Sequence, residues 1–407
     1  MERNASSAVK RGEVGSLRRT VFGLMLVCFC MRSPMSTVGP LVAQMKETLH
    51  LSSSFSGMLT TIPLFIFGLT ALVSGRFLHK LQVRTWFLLD TALILAGILG
   101  RSYLGVPGLL AGTACLGLGI GILNVLTPVW IRQDWAAHLG PVMGAYSASM
   151  NAMSGVAAGT AVILSALLGG WQNAMALFAL FPAAAILFWS PSREARHPLA
   201  VKTAEPLSST ARRLTSWCVA LFMGLQSCMF FSSTAWLSSI FQERGFSESA
   251  AGAMVFVFQT FQILTNYFMP ILYQRYPRQR RALAASCGIL YGTGPALLLL
   301  TDIHSVLMAG TVLMGLGAGL TFSLAITLIA VKGRNEAEAV RLSSFAQFIG
   351  YFLAAPAPFL IGAIQDRTGT FTIPILLMLV WCALLVILGL AAVWDERASG
   401  SEHTSGA

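Results

Sequence analysis

The chain has 407 residues, of which 55% are hydrophobic and only 11% charged, against roughly 25% charged in an ordinary soluble domain. That balance excludes a soluble globular protein and indicates an integral membrane protein in contact with a lipid bilayer. The net charge of +11 would suit nucleic acid only if the basic residues clustered on a solvated domain; they sit in short loops instead, so no nucleic-acid partner is expected.

Residues before Thr20 are polar and basic. The first apolar run, 20 to 45, is longer than a signal-peptide core and lacks a small-residue cleavage pattern after it, so it reads as a retained first span. Eleven more runs of spanning length follow: 55 to 75, 85 to 102, 106 to 131, 141 to 168, 173 to 190, 215 to 241, 248 to 274, 282 to 301, 304 to 331, 342 to 364 and 371 to 394. A polar segment, Pro191 to Ser216, carries Arg193, Arg196, Lys202, Arg212 and Arg213 and divides six spans from six. The expected organisation is a tail at 1–19, a six-helix bundle at 20–190, a linker at 191–214, a second bundle at 215–394 and a tail at 395–407. With both termini inside, the inner segments hold 22 Lys and Arg and the outer loops hold four, Lys46, Arg101, Arg244 and Arg367, with Arg32 completing the 27. This asymmetry predicts a multi-pass inner-membrane protein with cytoplasmic termini.

Arg32 is the best functional clue. It lies inside the first run with no charge closer than Arg19 and Lys46, about 18 Å of helix from the inner end and so near a bilayer midplane. A charge there costs about 2.5 to 3.5 kcal/mol on insertion scales, so it persists facing a bundle interior or a wet cavity. Such a cavity invites an anion or a strongly polar ligand. The structural alternative is an arginine that caps carbonyls freed by Pro34, which cannot continue the backbone ladder. No carboxylate stands near another midplane, which leaves the substrate to supply a counterion. Asp90 falls about five residues into the third run, near the cytoplasmic face, where a partner in the basic loops is expected to neutralise it.

Polar side chains recur at helical spacing on other spans. Ser147, Asn151 and Ser154 share a face of the fifth run with Tyr146 beside them, Gln259, Gln262 and Asn266 share a face of the eighth, and Gln347 and Tyr351 stand one turn apart in the eleventh. These stripes face protein, where they either orient a polar solute or join helices. Asn124 and Gln226 are each isolated near the middle of a span. Trp236 offers either a flat wall for a ring or an interface anchor. All seven cysteines fall inside predicted spans and their number is odd, so neither a disulfide framework nor a metal or other cofactor is expected.

The halves repeat. Leu51 to Gly57 lines up with Phe246 to Gly252 at an offset of 195, Gly117-x-Gly119-x-Gly121 with Gly315-x-Gly317-x-Gly319 at 198, and Gly169 before Trp171 with Gly369 before Phe371 at 200. A nearly constant offset means one six-span unit used twice in the same orientation, with substrate bound between the halves. The glycine runs are not nucleotide loops, since neither follows a soluble strand nor ends in Gly-Lys-Ser or Gly-Lys-Thr; they read as close-packing ridges. Nothing else suggests an ATP site or an enzyme, so transport would be secondary.

Across essentially its whole length the chain resembles the major facilitator superfamily. Gly75-Arg76-Phe77-Leu78-His79-Lys80-Leu81-Gln82-Val83-Arg84 resembles that superfamily's basic loop between spans two and three, with His79 where an acid usually stands and Gln82 in place of a glycine. The resemblance implies gating or structural roles for Arg76, Lys80 and Arg84. Met31-Arg32-Ser33-Pro34, Gly57-Met58-Leu59-Thr60-Thr61-Ile62-Pro63-Leu64, Gly121-Ile122-Leu123-Asn124-Val125-Leu126-Thr127-Pro128, Gly144-Ala145-Tyr146-Ser147, Ala235-Trp236-Leu237 and Ala346-Gln347-Phe348-Ile349-Gly350-Tyr351 are similar to the cyanate and nitroimidazole transporter family. This implies an all-α fold of twelve helices in two six-helix halves and alternating-access transport of a small anionic or strongly polar solute, by a chain expected to act as a monomer. A broad drug exporter would instead be indifferent to Arg32 and would favour an acid in its cavity. A non-transporting receptor would need an output domain.

Overall fold

The computed structural model describes residues 2–74, 77–192, 195–199, 213–333 and 336–394. Among them, secondary structure is helical apart from an isolated β-bridge between Gln82 and Pro198. Eleven stretches are long and apolar enough to cross a membrane, and a twelfth, span 1, is a pair of helices bent by 44°, Glu2–Ser36 and Val38–Leu49. In lipid a chain satisfies its backbone groups within helices or closed barrels, and hydropathies of 1.3 to 2.9 over the eleven stretches leave helices as the solution. The expected tail at 1–19 continues the helix of span 1, which begins at Glu2, because no proline interrupts it before Pro34. Spans 6 and 11 are also interrupted, near Phe178 and Ala355. Arg76, residues 200–212 of the linker and the segment 395–407 lie outside the described residues.

The two glycine ridges show the repeat as packing. In span 4 (Gly105–Asp134), a Cβ added at Gly117 or Gly121 would fall under 3.0 Å from Pro63 or Thr70 of span 2 (Ser53–Val73), while one at Gly119 would meet the Asp90 carbonyl of span 3 (Val83–Tyr103). In span 10 (His304–Lys332), Gly315 and Gly319 press in the same way on Phe258 and Gln262 of span 8 (Glu248–Arg275), and Gly317 presses on Tyr291 of span 9 (Arg280–Leu300). Neighbours two residues apart on a helix point to nearly opposite sides, so one Gly-x-Gly-x-Gly run lets a span be clasped from both sides. Gly169 and Gly369 end spans 5 and 11 with φ of +75° and +72°, the left-handed cap that glycine adopts without strain.

Each half closes on itself and the halves meet along spans 2 and 11, 1 and 7, and 5 and 8. At the end of the bundle poor in Lys and Arg, the contact is tight and polar. The Asp366 carboxylate at the end of span 11 accepts from the backbone N–H of Ser53 and of Ser54, each at 2.7 Å, where span 2 begins and its unpaired N–H groups and dipole favour an anion. Ser53 Oγ also donates to Gln365 and accepts from Lys46. Gly57 and Gly362 carry no Cβ where spans 2 and 11 cross backbone to backbone. On the other side, Gln44 donates to Glu248 at 2.8 Å and accepts from Ser165 at 2.6 Å. At the opposite, basic end the first linker residues fold back on the first half. The N–H of Val83 and of Arg84 donate to the carbonyls of His197 and Ala195 at 3.0 and 2.8 Å, and His197 Nε2 pairs with Asp134 at 2.8 Å.

Two expectations follow. Gly317→Ala should lower the thermal stability of the purified protein despite alanine's gain of about 1 kcal/mol in helix propensity, because its Cβ would enter the Tyr291 backbone; Gly144→Ala, with nothing within 4 Å, should be neutral or stabilising, and equal melting temperatures for the pair would contradict the clasp. Asp366→Asn should weaken the seal by about 1 kcal/mol, allowing for exposure, or roughly fivefold in the open population. The labelling rate of a cysteine placed at Ser56, buried behind that seal, reads the change.

Candidate functional site

The described cavity at the centre of the bundle is lined by Arg32, Met35 and Ser36 of span 1, Thr60 of span 2, Ser154 of span 5 (Leu139–Leu168), and Phe230, Phe231, Thr234 and Ala235 of span 7 (Leu214–Glu243). It is contracted: about 10 Å³ is open to the centre of a water molecule, roughly what one water needs. Both halves contribute to it. Ser36 stands one turn beyond Arg32 and its hydroxyl bonds that of Ser154 at 2.6 Å; Thr234 donates back to the Phe230 carbonyl at 2.9 Å. Among the described residues no hydrogen bond or ion pair engages the Arg32 guanidinium, which is half-buried. Tyr146 of span 5 is buried, its backbone carbonyl accepting from Cys28 Sγ of span 1 at 3.5 Å. The ring of Tyr351 packs edge-on against Phe67 at 5.7 Å and lies 6.4 Å from Phe231, which meets Phe230 at 5.1 Å. One cation, four hydroxyls and a chain of aromatic rings therefore converge between the halves.

A different arginine serves the break of span 1. The Pro34 carbonyl at the break of span 1 accepts from Arg101 Nη2, which also lies 3.4 Å from Thr37 Oγ1. Arg101 is 1% exposed and belongs to the last turn of span 3, not to an outer loop. The apolar count ends span 3 one residue after it, whereas the helix runs to Tyr103.

Several expected site residues stand elsewhere. Trp236 is not a wall of the cavity: its Nε1 donates to the Pro358 carbonyl at 2.9 Å and its ring packs on Phe371, so it anchors span 7 to spans 11 and 12. Gln226 is buried beside Ser227, which donates to it at 3.3 Å. The amides of Asn151 and Gln347 turn back to Ser147 and Ser343 on their own helices. Gln262 is buried where Gly319 presses on its backbone, and half-buried Asn124 is not among the cavity-lining residues. Gln259 is closer to the expectation: it donates to the Ser154 carbonyl at 3.3 Å, joining the halves next to a lining residue. Arg84 caps the end of span 6 through the carbonyls of Trp189 and Ser190, Lys80 is exposed in a short 3-10 turn, and Arg76 falls outside the described residues. Asp90 is 2% exposed and its Oδ2 has no hydrogen-bond partner among the described residues, so the expected basic-loop partner is not found there.

Phe67, Thr60, Phe230, Phe231 and Thr234 were not expected. Thr60 lies in the Gly57-to-Leu64 stretch that carries the family resemblance, the others stand in apolar helix, and no spacing singles any of them out. Ser36 alone carried a signal, as the fourth residue after Arg32 on one helix face.

Residues 24–355 match the Major Facilitator Superfamily. An uncharacterised transporter of Bacillus subtilis is 32% identical over 372 residues, 91% of this chain and 92% of the relative. The 2-nitroimidazole transporter of Escherichia coli is 29% identical over 379 residues, 93% and 96% of the two chains, and the cyanate transport protein of the same organism is 28% identical over 354 residues, 86% and 90%. In three dimensions the chain superposes on a bacterial homologue of the human lysosomal transporter Spinster with a TM-score of 0.73 at 12% identity, covering 93% of this chain and 96% of that one. With its two clasped six-helix halves, a central cavity shared between them and this match over most of its length, the chain belongs to the major facilitator superfamily of membrane transporters.

Proposed function

We propose that this transporter moves a small, planar, anionic or strongly polar compound across a bacterial inner membrane by alternating access, with Arg32 as the countercharge in the central cavity. The observation that carries this reading is the Arg32 guanidinium in a cavity between the halves, with hydroxyls and aromatic rings around it and no hydrogen-bonding or ionic partner among the described residues. A guanidinium presents a planar fork of donors that suits a carboxylate, cyanate or nitro group, and the substrates named for the two Escherichia coli relatives are of this kind. Ser36, Thr60, Ser154 and Thr234 would complete the hydrogen bonds, Phe230 and Phe231 would cover a ring, and Tyr146 and Tyr351 would frame the cation. One chain supplies both walls, in keeping with a monomer.

The distribution of Lys and Arg orients both termini and the linker toward the cytoplasm by the positive-inside rule. The sealed end around Asp366 and Ser53 is then periplasmic, and the contracted cavity opens when that seal or the cytoplasmic contacts part. An anion entering against an inside-negative potential of about 100 mV loses about 2.3 kcal/mol per charge. Anion uptake therefore needs a co-moving cation, whereas export of an anion or movement of a neutral nitro compound does not.

Arg32→Ala should abolish uptake or efflux in proteoliposomes while insertion and gel-filtration behaviour stay normal, and Arg32→Lys should retain a fraction, since it keeps charge but not the fork. Thermal stabilisation of the wild-type protein by cyanate, 2-nitroimidazole or benzoate, lost in Arg32→Ala, supports the reading; stabilisation by tetraphenylphosphonium in both proteins would oppose it.

A further inference from the structure

Span 1 breaks within one turn of its functional arginine. Pro34 lacks an N–H and so cannot serve the Cys30 carbonyl, and Pro40 likewise leaves the Ser36 carbonyl without its helical donor. Between these two prolines the helix bends by 44° at Thr37. Such a bend in an apolar surround holds only where its freed polar groups are met. Span 3 supplies donors at the bend: Arg101 Nη2 bonds the Pro34 carbonyl just before it and approaches the Thr37 hydroxyl at it. Arg101 is fully enclosed, and its Nε has no hydrogen-bond partner among the described residues. Gly112 of span 4 has no Cβ where the Arg101 backbone and Cβ pass, which lets span 4 close over that turn.

A buried guanidinium without a carboxylate is costly, and packing alone would be served by an apolar residue. The position of its donor points to a specific task. Arg32 and Ser36 face the cavity from the helix before the bend, while Gly39 just beyond it lies against the Thr234 carbonyl of span 7. The angle at Thr37 therefore sets how the Arg32 face meets Thr60, Ser154 and Thr234. We infer that Arg101 is a positioning residue of the transport site: by stitching Pro34 and Thr37 together from span 3, it fixes the bend of span 1 and so keeps the Arg32 guanidinium aimed into the cavity and out of the break. This deepens the proposed function and rests on Arg32 being the anion contact.

The test uses the full chain, purified in detergent, as wild type, Arg101→Gln, Arg101→Lys and Thr37→Val. Each protein is treated with phenylglyoxal, and modification of Arg32 is followed by peptide mass spectrometry, a readout that needs no substrate. In Arg101→Gln the rate at Arg32 should fall by about tenfold, the scale of a lost charge-assisted hydrogen bond, with partial recovery in Arg101→Lys and a smaller change in Thr37→Val. The dissociation constant of benzoate, measured on the monodisperse fraction, should rise in the same order. Arg32 modified at the wild-type rate in Arg101→Gln, or in Thr37→Val and Arg101→Lys if the glutamine variant does not fold, would overturn the positioning role whatever the melting temperatures. Arg32→Gln, titrated with benzoate in parallel, separates the two ideas: if it binds benzoate as wild type does, the anion reading fails, while the phenylglyoxal result still decides the role of Arg101.

Discussion

A guanidinium placed in a low-dielectric interior without a carboxylate beside it is the constraint around which this transporter is built. Two such groups, Arg32 and Arg101, converge on one broken turn of span 1, and neither has an acidic partner among the described residues. The interior tolerates them by giving each a different outlet. Arg101 spends its donors on a backbone carbonyl and a threonine hydroxyl at the bend of span 1. Arg32 is left with a cavity, and a fixed positive charge in a cavity is most stable when a mobile negative charge or strong acceptor joins it. On the proposed reading, the energetic demand of that charge is the same interaction that would select the substrate.

The surrounding helices supply the rigidity that such a site requires. Each Gly-x-Gly-x-Gly run removes side chains from both sides of a central helix, so that spans 4 and 10 are held backbone to backbone by their neighbours. Those contacts lie within a half, and their pseudo-symmetry makes each half a stiff unit. The contacts between halves are of another kind: carboxylate to helix terminus at Asp366, side chain to side chain at Gln44 and Glu248, and one amide from Gln259. A few hydrogen bonds across an otherwise apolar interface can break and reform while the clasped halves move as bodies, which is the mechanical condition for alternating access. The cavity lining departs from the repeat: Ser227 occupies the position that the offset of 195 assigns to Arg32, so one half brings the charge to the cavity and the other brings Phe230 and Phe231.

Much of this was legible in the sequence, for identifiable reasons. Spans are set by hydrophobic length, so twelve could be counted, and the glycine ridges declared the repeat because their spacing has no other use in an apolar run. Arg32 stood out as a charge too deep to reach water. Arg101 was hidden by its position: a charge at the edge of an apolar run reads as a loop residue, and only the fold shows that span 3 continues past it and turns it inward. The polar stripes misled differently. Periodicity shows that Gln226, Gln262, Asn151 and Gln347 face protein, yet it does not distinguish the cavity from a helix contact, and these amides found partners on their own helices or were packed away. Trp236 had a similar fate, its indole N–H drawn to the Pro358 carbonyl near the break of span 11. Phe230, Phe231 and Thr234 line the cavity because span 7 crosses span 1 there, which depends on the packing of the halves and leaves no local mark.

The most direct measurement of the central claim is a comparison of benzoate with benzamide, two rings of nearly equal size and shape, in equilibrium binding to the purified wild-type protein. If the Arg32 guanidinium is completed by the ligand, benzoate binds and benzamide, whose N–H groups face those of the arginine, binds far more weakly, with the difference shrinking as salt screens the cavity mouth. Equal affinity for the acid and the amide would contradict the account, since it would place recognition in the aromatic rings and leave the buried charge without a role in the substrate.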